Sequence, residues 1–280
     1  MSRIFWPALS VGVFCSTAWA SPTVSTPEPA AEFPAFTQQV IASGLQEPDG
    51  LALHPVSGEL YVTEETAGRI SVIRGGRAVT VAGPGLQITG DLPDWLVTAD
   101  KPKSFWHTAR LSSPEGITFA PDGTLYVVED TPRGRVLSFM PNAAGVYGQA
   151  TVLPVPSLGE AYAWESICVA RDGRLFMAGA SHEADTGWGS SCVISRDTTQ
   201  GWWMVDYGPL ASFSALALSG PEDVLIAGDE AVGGVTWWDI NRQQEIQTLS
   251  QDLGAVEGLA TLPDGSLVVA QENVVHGPGE

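Results

Sequence analysis

The chain is short of positive charge. Thirteen Lys and Arg face thirty-two Asp and Glu among 280 residues, a formal net charge of −19. The lysines are Lys101 and Lys103 alone. So acidic a surface repels phosphate backbones and argues against a nucleic-acid partner. Histidine and cysteine are also scarce, four and three residues, with no zinc-ligand spacing among them. A G-x-S-x-G elbow, a phosphate loop and a dinucleotide fingerprint are all missing, which excludes the commonest serine-hydrolase and nucleotide chemistries. Helical periodicity is absent, so the chain reads as all-β. Beyond the first twenty residues no apolar run approaches bilayer length, so no membrane span is expected.

What is present begins with an export leader. Arg3, the apolar stretch IFWPALSVGVFC and the small-x-small site Ala18-Trp19-Ala20 predict a signal peptide over 1–20, cleaved after Ala20. The expected location is periplasmic or secreted. Residues 21–34, SPTVSTPEPAAEFP, read as a flexible leader, and 35–280 as one domain. Cleavage removes Cys15 and leaves Cys168 and Cys192 in a compartment where disulfides persist. Their expected strands are first and third in one sheet, roughly 9–10 Å apart, against the ~7 Å a bridge tolerates between Cα atoms. Bridged and free forms both remain open on sequence.

The domain is a set of repeats. SSPEGITFAPDGTLYVVED (112–130) has counterparts in EPDGLALHPVSGELYVTEE (47–65), AWESICVARDGRLFMAGA (163–180), FSALALSGPEDVLIAGDE (213–230) and VEGLATLPDGSLVVAQEN (256–273). Each is an apolar strand, a tight turn and a second apolar strand. Third strands follow at 69–73, 135–139, 192–196 and 235–240, and fourth strands are predicted from AVTVAG, ATVLPV, GWWMVDYG and EIQTLS. Four short antiparallel strands per repeat of roughly 40–50 residues predict a single-domain β-propeller of four-stranded blades.

The stretch HTARLSSPEGITFAPDGTLYVVEDTPRGRVLSF (107–139) resembles the NHL-repeat and SMP-30/gluconolactonase-like propellers. It carries their apolar lead-in, P-x-G, apolar strand, D-G, LYV, acid, and basic residue before the next strand. The resemblance covers nearly all of 44–273. It implies six blades as the usual count, whereas five repeats are visible. FTQQVIASG (36–44) is expected to close the ring as an outer strand of the last blade.

In a propeller both open ends of each first hairpin lie on one face, around the central channel. Asp49, Glu115, Glu165 and Glu257 occupy equivalent positions and are expected to converge there, with Ala215 as the fourth repeat's neutral counterpart. Glu64, Glu65, Glu129, Asp130, Asp229, Glu230 and Glu272 form an expected outer ring on the same face. Converging carboxylates need a shared proton or a cation, and an all-oxygen cluster suits a hard divalent ion, Ca²⁺ best. The resemblance implies a catalytic divalent cation in this channel, held there by one Glu with Asn and Asp. This chain has acids where those proteins have asparagines. The alternative is that these acids only accept N–H bonds from the neighbouring blade.

The connection 84–112 brings Trp95, Trp106 and His107 toward that face, beside Trp164 and His182. The tryptophans are candidate walls of a substrate pocket and the histidines candidate proton shuttles. The expected function is a cation-dependent hydrolase of a lactone or ester, acting as a monomer. The competing expectation is a non-catalytic propeller that binds a protein or small ligand as an accessory factor. Asp122, Asp172 and Asp264 sit in tight Asp-Gly turns and are given no role.

Overall fold

The computed structural model describes residues 10–14, 41–84, 86–90, 111–131, 134–142, 146–155, 162–181, 191–197, 201–208, 212–219, 224–231, 233–250, 254–262 and 265–272. The described residues are all strand, turn or irregular, as the missing 3.6-residue period requires. In chain order, β1 (Ser10–Phe14) precedes the first blade, β2 (Pro48–Leu53), β3 (Leu60–Glu64), β4 (Arg69–Arg74) and β5 (Arg77–Ala82). The second blade is β6 (Gln87–Thr89), β7 (Pro114–Phe119), β8 (Leu125–Glu129), β9 (Val136–Phe139) and β10 (Gln149–Val152). The third is β11 (Tyr162–Val169), β12 (Leu175–Ser181), β13 (Ser191–Asp197) and β14 (Gly201–Gly208). The fourth is β15 (Phe213–Leu218), β16 (Val224–Asp229), β17 (Gly234–Asp239) and β18 (Gln244–Ser250), and the last is β19 (Ala255–Thr261) and β20 (Leu267–Glu272).

Every third and fourth strand read from the repeat pattern is present. Two additions were not foreseen. β6, inside the 84–112 connection, pairs parallel with β10 and makes the second blade five-stranded. β1 pairs antiparallel with β20, so the last sheet has the order β1-β20-β19. An N-terminal strand does join the last blade, as its third strand, but it is Ser10–Phe14, inside the segment expected to be cleaved on export. Of the expected closing segment 36–44, residues 36–40 lie outside the described residues, and Ser43 bridges Arg77 on β5 of the first blade. Edge coverage explains both placements, since β5 and β20 each offer a row of unpaired backbone groups.

The cores lie between blades. Tyr61, Ile70 and Val72 of the first blade pack with Ile117, Val127 and Phe139 of the second. Val128 and Val136 of the second meet Trp164, Met177 and Cys192 of the third. Phe176 and Val193 of the third meet Phe213 and Leu225 of the fourth. Ala215 and Ile226 of the fourth meet Val256 and Val269 of the last. Full burial of each such large side chain contributes about 1.5–3 kcal/mol. Cys192 and Cys168 belong to cores on opposite faces of the third blade, and no disulfide joins them. The same division separates Trp237 from Trp238.

Inner strands β7, β11 and β15 each pack between two others. Among the described inner strands, β2 packs chiefly on β7, and β19 chiefly on β15. Leu51 and Leu53 of β2 are exposed, with no neighbouring blade over them among the described residues. Where inner strands do meet, they approach closely. A Cβ on Gly50 would lie 2.2 Å from the Glu115 carbonyl oxygen, and one on Gly116 would lie 2.6 Å from that of Glu165. The glycine after Asp49 and the glycine after Glu115 are therefore packing requirements.

Candidate functional site

Every inner strand breaks register at the same place. The irregularities fall between Pro48 and Leu51, Pro114 and Ile117, Trp164 and Ser166, Phe213 and Ala215, and Val256 and Gly258. A bulge leaves a residue unpaired and re-aims its side chain. The residues so released are Asp49, Glu115, Glu165, Ser214 and Glu257. The fourth repeat's counterpart is therefore Ser214, one residue before the Ala215 expected from sequence, because Leu216 opposite Ala227 corresponds to Ile117 opposite Val127. The position holds a hydroxyl, and Ser214 Oγ donates to the Val256 carbonyl, beside Glu257.

The four acids influence one another. Glu115 is pushed up to about 11, first by burial and then by the charges of Asp49, Asp130, Glu165 and Glu65. Glu165 is raised well above the usual carboxylate range by burial, then by Glu230, Asp130, Glu257 and Asp49. Asp49 rises to about 6 through burial, Glu65 and Asp130. Its carboxylate sits amid crowded protein atoms, yet the residue as a whole keeps an exposed side, and that contact with water limits its rise. Oε2 of Glu115 is sealed from water and has no hydrogen-bond partner among the described residues. The tie between Glu115 and the first blade runs instead through its backbone carbonyl, which accepts from Thr63 Oγ1 at 2.7 Å. Oε2 is thus not occupied in bonding the neighbouring blade among the described residues.

The outer acids divide into two classes. Glu64 and Glu129 are fully buried and are not rim residues. Glu129 makes two 2.6 Å bonds with Arg135 and accepts Ser112 N–H. Glu64 accepts from Arg69 Nε and Nη2, Ser71 Oγ and Gln46 N–H. Burial alone would raise Glu64, but those donors hold it below its usual value. Asp229 likewise accepts N–H groups of Ser212 and Ala231. Each of these acids fastens the chain just before an inner strand. Their successors Glu65, Asp130 and Glu230 act on the bulge carboxylates instead. The side chain of Glu272 lies outside the described residues.

Of the proposed pocket and shuttle residues, Trp95, Trp106, His107 and His182 lie outside the described residues. Trp164 is buried between the second and third blades and stacks on Tyr162 at 5.5 Å, so it packs a core and does not wall an open pocket. On the opposite face, Asp122 and Asp172 act as turn formers, each accepting a backbone N–H two residues on, while Asp264 lies outside the described residues. Asp122 accepts Thr124 N–H, which lowers its pKa, and Gly123 takes the positive φ of +87°. A groove of about 450 Å³ lined by His54, Glu59, Arg74 and Tyr147 contains none of the sequence-selected residues.

Among the described residues, no group of three His, Cys, Asp or Glu is gathered tightly enough to hold a metal ion. The donor set nevertheless suits one in kind: all oxygens, one of them buried and unpartnered. Missed from the sequence were the locks by Arg69 and Arg135, whose signal is a basic residue five or six positions after the acid, and the latch by Thr63.

No family model matches the sequence, and no curated protein does. Solved structures do. A gluconolactonase from Xanthomonas campestris aligns with a TM-score of 0.61 over 83% of this chain and 72% of its own, at 15% identity. The periplasmic gluconolactonase of Pseudomonas aeruginosa aligns at 0.54 over 83% and 68%, at 17% identity. A chain of a nidogen/laminin complex aligns at 0.56 over 78% and 70%, at 15% identity. The chain has the β-propeller fold of the gluconolactonases. At this identity the likeness extends to fold, and the same fold serves a protein assembly.

Proposed function

We propose that this protein is an exported hydrolase of a lactone or ester that uses a divalent cation, Ca²⁺ by its oxygen donors, at the bulge carboxylates. The observation that carries this reading is Glu115 Oε2, buried without a hydrogen-bond partner among the described residues and surrounded by Asp49, Glu165, Asp130 and Glu65. A buried acceptor left unmatched is costly, and a hard cation satisfies it while neutralising its neighbours. Asp49, Glu115, Glu165 and Glu257 are the residues that would hold the ion. A bound divalent cation supplies Lewis acidity toward a carbonyl oxygen and lowers the pKa of water. Trp95 and Trp106 would wall the substrate, and His107 or His182 would move the proton. The gluconolactonase likeness supports the reaction class.

Calcium titration followed by calorimetry, beside lactone hydrolysis with and without chelator, tests this. The expectation is one high-affinity ion, chelator-sensitive turnover, and loss of both in Glu115→Gln. Absence of stoichiometric divalent ion in the wild type sinks it. The nidogen/laminin likeness favours the second reading, an accessory propeller that binds a protein. That reading requires partner binding to survive Glu115→Gln and to fail when 84–112 is altered.

A further inference from the structure

We propose that Thr63 is a positioning residue: its hydroxyl ties the bulge bearing Asp49 to the bulge bearing Glu115 and so sets how far apart the two carboxylates stand. The role assigned to those carboxylates rests on the cation reading above; the tie itself does not.

Thr63 is fully buried at the end of β3. Its Oγ1 accepts from Gly50 N–H at 2.8 Å and donates to the Glu115 carbonyl at 2.7 Å. Gly50 follows Asp49 directly, so one hydroxyl holds backbone belonging to both bulges. Bulged residues lack ladder partners, and their backbone is the part of an inner strand most in need of a fixing contact.

The repeats make Thr63 conspicuous. The same place, one residue after Val62, Val127, Met177, Ala227 and Val269, holds Thr63, Val128, Ala178, Gly228 and Ala270. Four blades put an apolar or side-chain-free residue there. A hydroxyl in such a position is unfavourable unless fully bonded, and here both its donor and its acceptor capacity are used. The first blade is also one of the two ends of the described row of inner strands, where a tie matters: β2 packs chiefly on β7 among them, while β7, β11 and β15 are held from two sides.

Thr63→Val keeps the side chain's shape and removes the hydroxyl, and Thr63→Ser keeps the hydroxyl and removes the methyl. Calcium affinity by calorimetry is expected to fall about tenfold or more in Thr63→Val and to stay within about threefold of wild type in Thr63→Ser. In metal-free protein the Gly50 amide is expected to exchange about tenfold faster in Thr63→Val and at the wild-type rate in Thr63→Ser. Should Thr63→Val fail to fold, Thr63→Ala, which matches Ala178 and Ala270, replaces it. Wild-type calcium affinity in the hydroxyl-free variant overturns the inference. So does equal loss in Thr63→Ser, or Gly50 exchange that does not respond to the hydroxyl. A wild type that binds no calcium defeats the cation reading instead, and the exchange measurement then decides Thr63 alone.

Discussion

Glu129 and Asp130 are adjacent, identical in charge, and at the end of one strand, yet they belong to different systems. Glu129 is buried against Arg135 and a backbone N–H, with its charge matched. Asp130 adds its field to Asp49, Glu115 and Glu165. The same split separates Glu64 from Glu65. One residue of strand alternation decides whether an acid meets a guanidinium inside a blade or other acids at the channel mouth. A buried carboxylate given its cation within the fold is a structural fastener. A cluster of carboxylates that raise one another's pKa is the candidate site.

The contrast breaks hardest on the fastener side. Arg135→Ala strands a fully buried Glu129, and is expected to cost about 3–5 kcal/mol in chemical denaturation. Arg69→Ala should cost less, because Arg69 is 27% exposed and water can reach the remaining charge. If the two cost the same, matched burial is not what distinguishes these acids.

On the site side the sign reverses. Glu115→Gln removes a carboxyl that must keep its proton at pH 8 in the folded chain while the unfolded chain releases it, so metal-free protein at pH 8 should melt roughly 2–6 °C higher than wild type. The same variant should lose calcium stabilisation. A lower melting temperature in both conditions would assign Glu115 to the fasteners.

A third measurement uses pH. Glu115, Glu165 and Asp49 have folded-state values above their unfolded ones, so the folded chain holds more protons. Their stabilising effect is complete below about pH 4 and declines as pH rises. For Asp49 the decline ends near pH 6, and for Glu115 it continues toward about 11. Glu64, lowered by Arg69, acts oppositely and loses its contribution as the solution is acidified. Thermal melts of metal-free protein from pH 5 to 9 should fall steadily, and calcium should flatten the slope. A rising melt over that range would contradict the acid-mouth picture.

The smallest effect belongs to the far face. Asp122→Ala removes one bond to Thr124 N–H, and should cost about 1 kcal/mol without altering calcium affinity. A change in affinity would mean that the turn face and the mouth are coupled.

Much of this was legible. The alternation of apolar residues with tight turns predicted the hairpins, their order and the common face, and placed Asp49, Glu115, Glu165 and Glu257 at equivalent positions. The offset in the fourth repeat, Ser214 and not Ala215, was not legible, because a bulge is defined by what lies opposite on the next strand. Nor was the tie by Thr63, fifty-two positions from Glu115.

By itself the sequence determined the local elements, since strand and turn preferences act over a few residues, and the acidity of one face, since strand period and hairpin direction fix it. Only the tertiary structure decided which acids are matched and which are left together. That depends on which Arg, hydroxyl or backbone N–H a neighbouring strand or blade brings within about 3 Å. The exposed Leu51 and Leu53 have the same origin: an apolar strand declares that it can be buried, and only the presence of a neighbouring blade determines whether it is.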